Sequence, residues 1–131
     1  MASPMTMFHE GNPADPIQKD VGDLSGVSIM SNQVLVAIYV RPNVTKGGII
    51  ITDKARDEDK YQGKVGLVLK TGPTAFKEED GKWFGGETVQ PGDWVFFRVS
   101  DGWSIDINGY PCRIMDDLIV RGKVTHPDIV W

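Results

Sequence analysis

The chain has 131 residues and a formal net charge of −4, with a pI near 5.0. This length indicates one domain, and a content of 40% apolar and 24% charged residues is typical of a globular protein. The acidic balance argues against nucleic-acid binding, because no basic stripe is available to neutralise phosphates. No window approaches 18 consecutive apolar residues and the first residues do not resemble a secretory signal, so we expect a cytoplasmic protein without a membrane partner.

The first 28 residues are rich in proline, glycine and aspartate and contain few apolar residues. We interpret residues 1–28 as an N-terminal extension that is extended or flexible, not as a second domain. The alternative is an arm that docks on a neighbouring subunit. Residues 29–124 have the pattern of a β domain, and residues 125–131 form a short C-terminal tail.

Short apolar runs separated by turn residues define the β domain. The stretch NQVLVAIYVRPN alternates from Val34 to Val40, and the apolar residues between indicate a strand covered on both faces. Further strands are predicted at residues 65–70, in DWVFFRVSDG, on both sides of Asn108-Gly109 and in DDLIVRGKV. These short strands, with no convincing helical periodicity, predict an all-β small barrel or sandwich.

Three consecutive isoleucines precede a charged stretch in TKGGIIITDKARDEDKYQGKV. From Asp53 to Lys60, seven of eight residues are charged. One interpretation is that Ile49 to Thr52 form a short strand buried on both faces. The other is that Ile49-Ile50-Ile51 are exposed on an open loop, with Gly47-Gly48 giving backbone freedom and the charges preventing aggregation.

The sequence contains no recognisable set of catalytic residues, so we do not expect an enzyme. Neither His9 nor His126 has a metal-ligand spacing to another histidine or to Cys112, the single cysteine, which we interpret as a small buried hydrophobic residue. There is no phosphate-binding loop, dinucleotide fingerprint or nucleophile elbow, and no acidic cluster matches a calcium loop. We therefore predict no metal and no cofactor, and a role in binding, assembly or structure.

Four motifs occur in a specific order. TKGGIII places a glycine pair before a short apolar tripeptide, and GKVGLVLKTGP ends a strand at a Gly-rich turn. PGDWVFF follows as an aromatic strand, with DGW after it. In this order and spacing the motifs resemble the GroES-type co-chaperonins, the chaperonin-10 family, over about residues 29–124.

The resemblance implies a GroES-like irregular small β-barrel with a long mobile loop and a roof β-hairpin. It also implies a homo-oligomeric ring, expected to be a heptamer, that caps a GroEL-type chaperonin. The ring and the chaperonin enclose a chamber in which an unfolded client protein folds. ATP is bound by the chaperonin and not by this chain, so no cofactor is expected here.

The resemblance further assigns roles to individual residues. In the mobile loop, the chaperonin-binding residues would be Gly47, Gly48, Ile49, Ile50 and Ile51. The tip of the roof hairpin would be Glu78, Glu79, Asp80 and Gly81, and Trp103 would face the chamber. The first and last strands of neighbouring subunits would pair at a subunit interface that contains Val34, Val36, Leu118, Ile119 and Val120.

The extension and the tail depart from the short bacterial form of the family. They favour a divergent, bacteriophage-encoded co-chaperonin whose client is a capsid protein. One alternative is a virion structural protein, such as a decoration or connector subunit, built on the same barrel. Another is a carbohydrate- or peptide-binding barrel that uses exposed tryptophans.

Overall fold

A computed structural model describes residues 6–77 and 87–130 of the chain. Its strands are β1 (Gln33–Ile38), β2 (Val65–Thr71), β3 (Trp94–Phe96), β4 (Trp103–Ile107), β5 (Tyr110–Asp116) and β6 (Gly122–Val124). Its α-helices are α1 (Ala14–Val21) and α2 (Asp53–Gln62), and short 3-10 helices lie at Asp117–Ile119 and Pro127–Ile129. Within these residues the strands form one antiparallel sheet in the order β4-β5-β1-β2-β3-β6, which confirms the predicted β fold. The expectation of an all-β chain without helices is wrong for α1 and α2.

β1 is a central strand of this sheet, because it pairs with β2 on one side and with β5 on the other. Every residue from Val34 to Ile38 is buried. Alternate side chains point to opposite faces, so Leu35 and Ala37 join one apolar cluster while Val34 and Val36 join another. The predicted burial of both faces of this strand is confirmed.

Helix α1 covers the face of the sheet that carries Leu35. Its buried residues Ala14, Ile17 and Val21 follow one side of the helix and pack in the same cluster. The Asn108 side-chain amide donates a hydrogen bond of 2.6 Å to the Val21 carbonyl, which fixes the end of the helix to the β4–β5 turn. The interpretation of residues 1–28 as extended or flexible is therefore wrong for α1, because its apolar side is buried against the sheet.

The assignment of Val34 and Val36 to a subunit interface is also wrong. Both side chains are fully buried inside the chain, in a cluster that includes Val68, Val95 and Met115. The pairing of the first strand with a neighbouring subunit fails for a related reason, because both edges of β1 are already occupied. The edges of the described sheet are β4 and β6.

The last predicted strand, in DDLIVRGKV, is shorter than expected. Asp117–Ile119 form a 3-10 helix, and the strand begins only at Gly122. The buried Asp117 carboxylate accepts hydrogen bonds from Asn32 Nδ2 at 3.1 Å and from the Phe76 amide at 2.9 Å. These bonds hold the chain in the turn, because a buried carboxylate must keep its partners.

Two other features match the sequence-based expectation. Asn108 and Gly109 have positive φ angles of 51° and 80° between β4 and β5, so the predicted hairpin is confirmed. Cys112 is buried in the core, and burial raises the pKa of its thiol to about 11.

Neither helix in the described segments has the length and apolar composition needed to cross a bilayer.

Candidate functional site

Residues 43–51 form a small β-hairpin, called here the isoleucine hairpin. The Thr45 amide donates to the Ile49 carbonyl at 2.9 Å, and the Ile51 amide donates to the Asn43 carbonyl at 2.9 Å. Gly48 turns the chain with a φ of 85°, a conformation that favours glycine. The glycine pair therefore serves a tight turn, and the isoleucines form its returning strand.

The isoleucines of this hairpin differ in exposure. Ile49 is 60% exposed and Ile50 is 76% exposed, whereas Ile51 is partly buried. The interpretation of this stretch as a buried strand is therefore wrong for Ile49 and Ile50. Ile49 and Ile50 give the returning strand two exposed apolar side chains, and exposed apolar surface marks interaction sites when it is rimmed by polar residues. That the hairpin is mobile stays a prediction.

The first strand of the isoleucine hairpin pairs on its other side with the N-terminal arm, defined as residues 6–9. Met7 forms an antiparallel bridge with Thr45. The Phe8 amide donates to the Val44 carbonyl at 3.0 Å, and the Lys46 amide donates to the Thr6 carbonyl at 3.0 Å. Met7 is fully buried, so the arm is anchored where it meets the hairpin.

Helix α2 follows the isoleucine hairpin and fixes its other end. Thr52 is the N-cap, and its hydroxyl accepts a hydrogen bond from the Ala55 amide at 3.1 Å. Asp59 accepts three hydrogen bonds of 2.8–3.0 Å from Arg41, two from the guanidinium and one from the backbone amide. The charged stretch is therefore a helix tied to the chain just after β1, not a solvated loop.

Arg113 on β5 holds the C-terminal end of α2. Its Nη2 donates to the Tyr61 carbonyl at 2.7 Å, its Nη1 donates to the Val99 carbonyl at 2.6 Å, and its guanidinium lies 5.5 Å from the centre of the Phe97 ring. Burial lowers the pKa of Arg113, and the nearby Asp101 opposes this effect. Both ends of the isoleucine hairpin are thus attached to fixed parts of the fold.

The other residues that the resemblance singled out lie on different elements. Trp103 begins the edge strand β4 and is 64% exposed. Leu118 is 53% exposed, and Ile119 and Val120 are partly buried before β6. The predicted roof residues Glu78, Glu79, Asp80 and Gly81 lie outside the described residues.

A group of polar side chains that sequence reasoning did not connect lies where the two ends of the chain meet. His9 Nε2 lies 3.1 Å from Asp128 Oδ2, and the Tyr39 hydroxyl donates to Asp128 Oδ1 at 2.6 Å. The rings of His9 and His126 have centroids 5.4 Å apart. No local pattern could have predicted this group, because His9 and Asp128 are separated by 119 positions in the sequence.

A comparison with protein-family models places this fold in a known family. The model described as the Chaperonin 10 Kd subunit matches residues 27–124, which is 98 of the 131 residues. This range contains the isoleucine hairpin, α2 and β1 to β6, and it leaves out the N-terminal arm, α1 and the 3-10 helix Pro127–Ile129. A search of the curated proteins finds no significant match.

Proposed function

The chain belongs to the chaperonin 10 family, whose members are co-chaperonins of GroEL-type chaperonins and not enzymes, and on that premise we propose that Ile49 and Ile50 bind the chaperonin. These side chains would enter grooves in the apical domains of the chaperonin. The observation that carries the proposal is the exposure of both side chains on the returning strand of the isoleucine hairpin. Gly47 and Gly48 shape the turn that presents them, and Ile51 contributes less because it is already partly buried.

The binding free energy expected for one isoleucine hairpin suits a lid that must dissociate from the chaperonin after each cycle. Burying one isoleucine is worth about 1.5–3 kcal/mol, so a single hairpin with two exposed isoleucines binds weakly. A ring that presents several hairpins together gains from effective concentration without any new contact. Weak contacts summed over a ring therefore give firm capping that can still be reversed when the chaperonin changes conformation.

The family implies a ring of identical subunits, and we propose a heptamer. The interface would contain Leu118, Ile119 and Val120, which lie beside β6. Since β6 is an edge of the described sheet, it is the strand that a neighbouring subunit would cover. This revised interface keeps the three C-terminal residues of the predicted set and drops the two valines of β1.

The remaining roles follow from the same proposal. Trp103 would face the folding chamber, and Glu78, Glu79, Asp80 and Gly81 would form the roof above it. The client is an unfolded protein, which we propose to be a capsid protein folded in the host cytoplasm for a bacteriophage-encoded lid. ATP would be bound by the chaperonin alone, so this chain would need no nucleotide.

Native mass spectrometry of the purified chain tests the ring and the partner together. Alone, the protein should have the mass of seven chains. With a GroEL-type chaperonin and nucleotide, a complex of one ring on one chaperonin end should appear. A monomer that forms no complex under either condition would contradict the proposed function.

A further inference from the structure

Within residues 6–77 and 87–130, His9, His126 and Asp128 form a group with the composition of a transition-metal site. One ring nitrogen of each histidine and one carboxylate oxygen lie within 4.8 Å of one another. Asp128 Oδ2 lies 3.1 Å from His9 Nε2 and 3.8 Å from His126 Nδ1. Ligand atoms about 2.0–2.2 Å from a tetrahedral zinc ion lie about 3.3–3.6 Å apart, so movements of about an ångström would bring the three into place.

We propose that His9, His126 and Asp128 bind one divalent zinc-type ion. Two imidazoles and one carboxylate are donors that zinc accepts, and the fourth position of the tetrahedron would hold water. Magnesium and calcium prefer sites made of oxygen ligands, so the two nitrogen donors select against them. His9 and His126 are the only histidines of the chain, and the fold places both in this group.

The surroundings of Asp128 are those of an oriented ligand. Its carboxylate is buried, and the Tyr39 hydroxyl donates to Oδ1 while the Met7 amide donates to Oδ2 at 2.9 Å. Hydrogen bonds of this kind fix the direction of a metal ligand and are a regular part of metal sites.

Metal binding would exchange protons and one hydrogen bond for metal–ligand bonds. An ionised carboxylate can only accept, so the 3.1 Å contact requires His9 Nε2 to donate its N–H to Asp128 Oδ2. On metal binding this proton would pass to His9 Nδ1, or to solvent if the ring is protonated, and the lone pair freed on Nε2 would bind the ion. His126 Nδ1 accepts a hydrogen bond from the Asp128 amide at 3.1 Å, and coordination through that atom would replace this bond.

This site lies outside the range that the family model matches, since His9 precedes residue 27 and both His126 and Asp128 follow residue 124. One ion would tie the N-terminal arm to the C-terminal tail beside Tyr39. Because the Phe8 amide bonds the Val44 carbonyl, the same ion would also secure the arm against the isoleucine hairpin. The two extra segments of the chain would thus share one function, which is to clamp the base of that hairpin.

Calorimetric titration of the metal-free full chain with zinc chloride, in excess magnesium chloride, tests the proposal. We expect one zinc ion per chain and a higher melting temperature with zinc, and no effect of magnesium alone. His9→Gln and His126→Asn should each weaken zinc binding at least about tenfold, because each removes one of three ligands. Glutamine can still bond to Asp128 and asparagine can still cap the turn, so both variants should fold.

Asp57→Asn, which changes an exposed carboxylate on α2, is the matched control and should leave zinc affinity unchanged. Cobalt bound to the wild-type chain should give the intense visible absorption of a tetrahedral site, a readout that needs no variant. The proposal is overturned if the wild-type chain binds no zinc, if both histidine variants bind zinc as tightly as wild type, or if cobalt gives only the weak spectrum of an octahedral aquo ion.

Discussion

Asp101 is a buried carboxylate in the turn between β3 and β4. It accepts hydrogen bonds from the Arg98 amide at 2.9 Å and from Arg98 Nε at 3.2 Å, and Arg121 Nε lies 3.8 Å away. Burial alone would raise the pKa of Asp101, but the hydrogen bonds and charges of Arg98, with the charge of Arg121, lower it below the ordinary value of 3.8. The folded protein therefore favours the ionised form.

This lowered pKa predicts a loss of stability in acid. The contribution of Asp101 is complete above the unfolded pKa of 3.8 and disappears as the pH falls through the lower folded value, because there the unfolded chain binds more protons. We expect urea unfolding of wild type to show a larger drop in unfolding free energy between pH 6 and pH 3 than unfolding of Asp101→Asn. The exposed control Asp57→Asn should behave as wild type. Equal drops in wild type and Asp101→Asn would contradict this account.

Single residues were predictable where burial alone decided their role. Cys112 was expected to be a small buried hydrophobic residue, and it is buried in the core. Val34 and Val36 were misplaced because alternation shows that a face is covered, but not whether the cover belongs to the same chain. His9 and Asp128 could not be paired, since 119 positions separate them and no local spacing encodes their contact.

At the scale of elements, the N-terminal arm and the isoleucine hairpin behave as one small sheet. The Lys46 amide is bonded to the Thr6 carbonyl, and Met7 is buried beside Thr45. Removing residues 1–9 should expose this edge, so the Lys46 amide should exchange with deuterium at least about tenfold faster. Hydrogen exchange measured by NMR checks this, with the amides of β1 as internal controls that should not change. An unchanged Lys46 rate would show that the arm does not brace the hairpin.

The two α-helices were not predicted, because neither has a clear apolar periodicity in the sequence. Ala14, Ile17 and Val21 do have helical spacing, but prolines and aspartates around them hid a pattern only two turns long. Helix α2 has hardly any apolar stripe to recognise in the sequence. Polar contacts fix it instead, namely the Thr52 cap and the Arg41–Asp59 ion pair. The strands were predictable because period-2 apolar runs and the Asn108-Gly109 turn are strong local signals.

At the scale of the whole molecule, the proposed ring depends on the surface around Leu118. This side chain is 53% exposed beside the edge strand β6. Leu118→Asp should therefore break the ring into monomers without unfolding the chain, because a charge at a buried interface is costly. Light scattering after gel filtration measures the mass. Tyr61→Asp, at a 70% exposed position on α2, should leave the ring intact, and an intact Leu118→Asp ring would place the interface elsewhere.

The order of motifs along the chain predicted the family and its mostly β fold, which the match over residues 27–124 and the antiparallel sheet confirm. The same order could not predict what residues outside that range do. The packing of α1 and the meeting of His9 with Asp128 depend on long-range contacts that belong to this chain and not to the motifs. The exposure of Ile49 and Ile50 also needed the fold, since three isoleucines alone fit a buried strand equally well.

The affinity of the chain for a GroEL-type chaperonin in the presence of nucleotide tests the central claim, that the isoleucine hairpin is the docking element. Ile50→Asp removes about 1.5–3 kcal/mol per hairpin, which is roughly tenfold to hundredfold for each contact and more across a ring. Ile129→Asp is the matched control, because it makes the same change at a 64% exposed position on the C-terminal tail. The account predicts that Ile50→Asp keeps its oligomeric mass but loses binding, while Ile129→Asp binds as wild type. Binding by Ile50→Asp at wild-type strength would contradict it.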